Sequence, residues 1–583
     1  MEAIKSCIVI FVLFFIQIIA SDVIVETSLG KVEGIEVKSI LKDEKFYSFM
    51  GIPYGMPPAG KTRFLPPQPH EGWSDVLTAK KEKKPCSHMN IPNRPLAKYG
   101  FSGQDDCLHL SIHTPTLPNN EDLNMPVIVF LYNELFKVSH NASRDFGPDF
   151  FVKEGAIVVT ISHRIGSMGF LAFNDELLPG NNGIRDVILA LKWLQQNMQK
   201  FGGDPQKVTL MGVDGGATII DLLLQSPKAK GLFSRAIMQS GTAFNPIYMP
   251  TNPKDKATAL AKELERTAVT SSNLLNELQH VSSYDLVTAE ISSVSADEGR
   301  QSQMGTVPFG PVVEPEHPDA IVTHLPEERL LDVEIPVMIG YNSREGIEIN
   351  ERYLRKPQYL TFADRDFLVV IPVRSGFRFE LNTNIYHKAI DEIKEFYFDE
   401  GYVKISKPGE YLTYTADIMG FYPLDYAVRK YVNESRSSVY YYTFDYSGEL
   451  NMRKNNILEE AMTIEGTWGA APGDELCYLF LCKPIRKIYK KVLEDEDTEE
   501  LKVLRNMVKL WTNFANTGNP TPQGSDFTWT PATKENKDCL VISDELQMKQ
   551  NLHEDRIKFW DDFLVKYKAL AVDGVVKDLK DEL

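Results

Sequence analysis

Basic charge is in short supply in this 583-residue chain, where 63 lysines and arginines stand against 80 aspartates and glutamates for a formal net charge of −17. A surface with that balance repels phosphate backbones and anionic lipid headgroups, which argues against a nucleic-acid or membrane-surface role. The short runs Lys80–Lys84 and Lys487–Lys491 read as solvated faces. Long apolar runs are equally scarce. Beyond the N-terminal stretch Cys7–Ile19, no segment approaches the roughly 20 apolar residues that span a bilayer. The length alone would suggest several domains, but there is no internal repeat, no low-complexity block and no Gly/Ser- or Pro-rich linker, and this pattern points to one large domain. No His/Cys cluster of metal-ligand spacing stands out, and neither a metal nor a cofactor is expected.

Six cysteines are too few for a disulfide scaffold. Cys7 falls in the N-terminal stretch, leaving Cys86, Cys107, Cys477, Cys482 and Cys539, an odd number that leaves at least one thiol unpaired. Cys86 and Cys107 bracket a short loop and are expected to pair, which would stabilise the fold by about 3 kcal/mol. Cys477, in the apolar stretch "ELCYLF", reads as a buried unpaired thiol.

The termini read as addresses. Lys5, the apolar run Cys7–Ile19 and the small residues Ala20 and Ser21 form a signal-peptide pattern, assigned to residues 1–20, with an uncleaved anchor as the competing reading. A tail over 571–583 ends in Lys580, Asp581, Glu582 and Leu583, the endoplasmic-reticulum retrieval tetrapeptide KDEL, whose partner would be the KDEL receptor. The sequons at Asn141 and Asn433 suit the same compartment. Between the two lies an expected single domain, 22–570.

Within that domain, short continuous apolar runs (Met125–Tyr132, Ala156–Ser162, Lys207–Gly212, Ile335–Tyr341) suit strands covered on both faces. Helical patterns lie between them. In Gly183–Gly202, Val187, Leu191, Leu194 and Met198 recur at helical spacing. Alternation of strand and helix predicts an α/β fold.

The motifs are more specific. "GKVEG" (Gly30–Gly34), "FMGIPYGMPPAGKTRF" (Phe49–Phe64), "DDCLHLSIHTP" (Asp105–Pro115), "HRIGSMGFL" (His163–Leu171), "PGNNGIRD" (Pro179–Asp186), "FGGDPQKVTLMG" (Phe201–Gly212), "GLFSRAIMQSG" (Gly231–Gly241), "FGPVV" (Phe309–Val313), "TGNP" (Thr517–Pro520) and "RIKFW" (Arg556–Trp560) occur in order along the chain. In these the sequence resembles the type-B carboxylesterases, the cholinesterase and carboxylesterase branch of the α/β-hydrolases. The resemblance implies a large, mostly parallel twisted sheet with helices on both faces.

At the positions that carry the family's chemistry the sequence departs from the pattern. The nucleophile elbow G-x-S-x-G reads "GVDGG", Gly212–Gly216, with Asp214 in the serine position. Aspartate tolerates the strained turn, and a helix N-terminus favours a carboxylate, but the attacking hydroxyl is gone. The motif that carries the histidine base reads "GAAPGDEL", with Pro472 in the histidine position. His387 and His553 lie downstream in no comparable motif and read as surface histidines. "GYNSREG" places Glu345 as the acid, whose role is defined only by the histidine it orients. The oxyanion run H-G-G-G aligns with "YNEL", Tyr132–Leu135, so Asn133, Glu134 and Leu135 replace all three glycines. Their side chains are expected to crowd the close approach that glycine permits, and an inward Glu134 would oppose a developing oxyanion.

Two function classes follow. One is a catalytically inactive, esterase-like protein of the endoplasmic-reticulum lumen that acts by binding or assembly, on an esterase partner, a secretory client or an apolar ligand. It would resemble non-catalytic members of the family such as the neuroligins, neurotactin and the esterase-like domain of thyroglobulin. The other is a residual ester- or acyl-processing enzyme that uses Asp214, as the aspartate nucleophiles of haloalkane dehalogenases and epoxide hydrolases do, or another site. The triple change at Asp214, Pro472 and Tyr132–Leu135 favours the first. A final pattern concerns Arg556–Leu570, where Ile557, Trp560, Phe563, Leu564 and Tyr567 form an apolar stripe. The stripe either packs on the domain's own core or, as the resemblance to dimeric cholinesterases implies, pairs with a second copy or an active esterase.

Overall fold

A computed structural model describes residues 23–90, 100–119, 122–140 and 142–578. The expected signal peptide, Asn141 and the tetrapeptide Lys580–Leu583 lie outside the described residues.

Twelve strands follow one another across a single sheet that counts fourteen with two short flanking strands. In chain order they are β1 (Val23–Thr27), β2 (Gly30–Lys38), β3 (Lys45–Pro53), β4 (His109–Thr114), β5 (Met125–Glu134), β6 (Ile157–Ile161), β7 (Gly203–Asp214), β8 (Arg235–Gln239), β9 (Val337–Asn342), β10 (Val439–Phe444), β11 (Asp538–Ile542) and β12 (Leu546–Gln550). Across the sheet the order is β1-β2-β3-β4-β6-β5-β7-β8-β9-β10-β11-β12. Along this order the block from β6 to β11 is parallel throughout and the antiparallel pairs lie at the two ends, while the short flanking strand Val138–Ser139 pairs antiparallel with the end of β5. This is the α/β-hydrolase architecture expected from the sequence.

The continuous apolar run of β5 has a simple cause. Val127, Val129 and Leu131 enter one core cluster while Ile128, Phe130 and Tyr132 enter another on the opposite face, so no position is left for a polar side chain. The first cluster takes the apolar side of α1 (Asn182–Asn197), through Val187, Leu191 and Leu194. That helix ends earlier than its pattern suggests. Met198–Phe201 tightens into a 3-10 turn, and Gly202 leaves it at φ 88°. After β7 the chain turns into α2 (Gly215–Gln225), and the second cluster is closed by α6 (Glu499–Thr517), among others, through Met507 and Trp511. Between them lie α3 (Asn384–Tyr397), α4 (Tyr422–Glu434) and α5 (Met452–Leu458), and α7 (Glu554–Leu570) follows.

Of the two readings of the α7 stripe, packing on the domain's own core holds: Trp560 and Phe563 are fully buried and Tyr567 nearly so, in a cluster with Phe379, Tyr386 and Tyr422 of the same chain. The helix satisfies its apolar face internally, as any amphipathic helix must somewhere. One sequence expectation needs correction here: Cys477 is not an unpaired thiol. The short helix Leu476–Leu479 turns directly into Leu481–Cys482, which brings Cys477 and Cys482 to a Cα separation of 5.3 Å in a disulfide. Cys86–Cys107 is also bonded, and the free, buried thiol is Cys539.

Asn433 is exposed in the last turn of α4. Among the described residues no helix is long and apolar enough to cross a membrane, and no group of three or more His, Cys, Asp or Glu is placed to hold a metal ion.

Candidate functional site: the strand–helix elbow

Parallel pairing of β5 with β7 runs as far as Asp214 opposite Asn133, and this register builds the site. Asp214 ends the strand at φ 56°, ψ −118°, and α2 begins at the next residue. So sharp a turn needs glycine at its flanks. A Cβ on Gly212 would lie 2.5 Å from the Gly216 carbonyl carbon, and one on Gly216 would lie 2.1 Å from the Leu131 carbonyl oxygen. The elbow therefore keeps its shape with an aspartate at its apex.

Opposite it, the loop that follows β5 differs from expectation. The side chains at Asn133, Glu134 and Leu135 do not push it away from the elbow. Leu135 and Phe136 adopt φ 49° and 56°, the left-handed region that glycine favours. The fully buried Asn133 closes the turn by accepting the Phe136 N–H at 3.0 Å. One donor thus still faces the apex: the Leu135 N–H donates to Asp214 Oδ1 at 3.0 Å. Burial pushes the Asp214 carboxyl up to about 7, against the lowering effect of that hydrogen bond, and the charge of Glu134 adds to the rise. The Tyr248 hydroxyl also bonds this half-buried carboxyl.

Glu134 points away from the elbow into a charge chain. The Arg453 guanidinium lies between Glu134 and Glu348, pairing with both, and its Nε donates to Glu348 at 2.6 Å. Tyr132 accepts from Arg453 Nη1 at 2.6 Å and donates to Glu134 at 2.9 Å. His140 stacks on the Tyr132 ring with centroids 4.2 Å apart and contacts the same Glu134 oxygen through Nε2 at 3.0 Å. Burial works to raise the Glu134 carboxyl, but Arg453 and His140 outweigh it and hold Glu134 well below the usual carboxylate range.

Arg453 is set beside the turn that contains Pro472. A Cβ on Gly473 would fall 3.0 Å from Arg453 Cδ. The Asp474 carboxylate, fully buried, accepts the N–H groups of Ala471, Arg453 and Lys454 at 2.8, 2.9 and 3.2 Å. One carboxylate thereby caps the start of α5 and ties it to the turn.

Glu345 lies just past the end of β9 and is 9% exposed. It accepts from the Ser240 hydroxyl at 2.6 Å and the Asn342 N–H at 2.8 Å. Asn342 Nδ2 bridges Ser240 Oγ at 3.1 Å and Glu475 at 2.7 Å, and Gln239 donates to Glu475 at 3.0 Å. Burial pushes Glu345 up to about 8, with the charges of Glu475 and Asp214 adding to the rise, and pushes Glu475 up to about 7. His387 and His553 are exposed. Asp214, Glu345 and Glu475 are thus carboxyls raised by burial, each held by amide or hydroxyl donors. Such groups can hold a polar ligand or give up a proton.

The carboxylesterase family profile matches residues 21–560. This chain belongs to the carboxylesterase family. The relatives are esterases by name: over 500 residues it is 29% identical to esterase FE4 of Myzus persicae, covering 85% of this chain and 84% of that one. It is 27% identical over 540 residues to the juvenile hormone esterase of Tribolium castaneum, covering 90% and 88%, and 28% identical over 565 residues to carboxylesterase 1E of Mus musculus, covering 94% of each. In this carboxylesterase-family chain the residues singled out from motifs, Asp214, Glu345 and Asn133–Leu135, all lie near the carboxyl ends of the sheet's strands. Pro472 joins them through its turn. Sequence reasoning missed Arg453, Glu348 and Tyr248. None lies in a motif, though Glu348 follows Glu345 by three residues in "SREGIE".

Proposed function

We propose that this member of the carboxylesterase family acts without hydrolysing esters, as a binding or assembly protein of the endoplasmic-reticulum lumen. One observation carries the reading: the Leu135 N–H, a donor that would receive a substrate oxyanion, is taken by the Asp214 carboxylate, the side chain in the nucleophile position. A developing negative charge there would meet a carboxylate rather than a free donor. The loss of a single such donor costs an esterase about 2.7–4 kcal/mol of barrier. Pro472 offers no imidazole to activate serine or water, and Arg453 lies against its turn.

What remains is a cluster of raised carboxyls beside Tyr132, Tyr248 and the Glu134–Arg453–Glu348 chain, polar groups that would serve a ligand or a client segment. Retention in the lumen follows from the signal pattern of residues 1–20 together with Lys580–Leu583. The deciding experiment is incubation of the purified glycoprotein with p-nitrophenyl acetate and a fluorophosphonate probe. Rates at buffer background and no covalent label are expected. Turnover that is lost on Asp214→Asn would instead establish an aspartate-dependent hydrolase.

A further inference from the structure

A second cavity, of about 500 Å³, shares no lining residue with the elbow site. Its volume is that of a small-molecule site. Its walls come from the segment after the 3-10 turn Pro246–Tyr248, from the end of the helix Ala296–Ser302 and from the loop that carries Arg374 to Arg378. Gln303 fastens these walls together. Its side chain exchanges two 2.8 Å hydrogen bonds with the Phe379 backbone, and its carbonyl accepts the Ile371 N–H at 2.7 Å. The backbone of Arg378 is fixed in turn to Gly574, whose carbonyl accepts its N–H at 3.0 Å. The space is therefore built before any ligand arrives.

Its charges do not cancel. Arg374 is paired with Glu327 at 2.5 Å, and Glu298 is paired with Lys256. Arg378 is exposed on the cavity wall, and its guanidinium has no carboxylate partner among the described residues. Arg374, 9% exposed, also keeps Nη1 unpartnered. A buried donor without an acceptor is a standing cost that an incoming oxygen relieves. Phe377 and Met304 give the same space an apolar side. One unmatched positive charge, a planar fork that takes two oxygens at once, and an apolar wall together define the ligand.

We propose that this cavity binds a small organic monocarboxylate, with its carboxylate on Arg378 and its hydrocarbon part against Phe377 and Met304. The proposal is independent of the reading of the elbow, since no residue is shared. The test is calorimetric titration of the full-length protein with sodium octanoate, with 1-octanol and with inorganic phosphate as separate arms. Expected are one octanoate bound per chain, at least tenfold weaker octanol binding, and at least tenfold loss of octanoate affinity in Arg378→Gln at unchanged melting temperature. Because Arg378 is exposed, that variant tests recognition rather than folding. No octanoate binding at millimolar concentration, equal binding of octanol, or octanoate affinity unchanged in Arg378→Gln would each overturn the proposal. Phosphate binding tighter than octanoate would overturn the carboxylate assignment and make the site one for phosphate.

Discussion

The Leu135 N–H and the Asp214 carboxylate are hydrogen-bonded to each other across the gap between a β-strand loop and a helix start, at 3.0 Å. In an esterase the two positions act on a substrate, one attacking it and the other receiving the charge that attack creates. Here each is the other's hydrogen-bond partner.

Restoring the nucleophile alone is expected to fail. Asp214→Ser frees the Leu135 donor and supplies a hydroxyl, but Pro472 still offers no base. Ester hydrolysis by this variant should stay at buffer background, as read with p-nitrophenyl acetate. Turnover on that single change would show that another group, such as His140, serves as the base.

Stability should fall as pH rises. Burial raises Glu345 from its ordinary value of 4.5 to about 8 and Asp214 from 3.8 to about 7, so the folded chain holds more protons than the unfolded one across that range. Their contribution is fully present below the unfolded values and is lost progressively up to about pH 8. The melting temperature should therefore drop between pH 5 and pH 8, and Glu345→Gln, which keeps the acceptor without the charge, should flatten the drop. A melting temperature that climbs over the same interval would refute this.

Arg453→Met should destabilise the protein by about 1–3 kcal/mol, because it leaves Glu134 and Glu348 facing each other without their cation. Breaking a fully buried pair costs roughly 3–5 kcal/mol, and partial exposure of all three side chains reduces it. Urea unfolding provides the measurement. The combination with Glu134→Gln should recover part of the loss, since it removes one of the stranded charges.

Deleting Lys580–Leu583 should release the expressed protein to the medium, and full-length protein should remain cell-associated with an immature glycan on Asn433. If the truncated form melts normally yet stays inside the cell with the same glycan, the tetrapeptide is not the operative signal.

The fold was legible because strands such as β5 must be apolar at every position to serve two core clusters at once, and the motifs supplied the order of the elements. The ends were less so: β7 begins at Gly203 and not at Lys207, since polar residues can pair at a strand's start. At the site, motifs located Asp214, Glu345 and Pro472. They could not reveal that Asn133 would close the left-handed loop, because that depends on one side-chain hydrogen bond. Arg453 was invisible for a related reason: its place is fixed by Asp474, 21 residues away in sequence. Cys477 was misread since an apolar stretch says nothing of a turn that brings a second cysteine within reach. The α7 stripe fitted a dimer seam as well as a core helix, and only the packing of Trp560 and Phe563 distinguishes them.

The Asp474 carboxylate, which joins the Pro472 turn to the first residues of α5, makes mutational effects at the two places interdependent. A change at position 472 that shifts the turn drags Arg453 with it, and Arg453 in turn governs the charge felt by Glu134 and, through it, by Asp214. Substitutions at positions 472, 453, 134 and 214 are therefore expected to be non-additive.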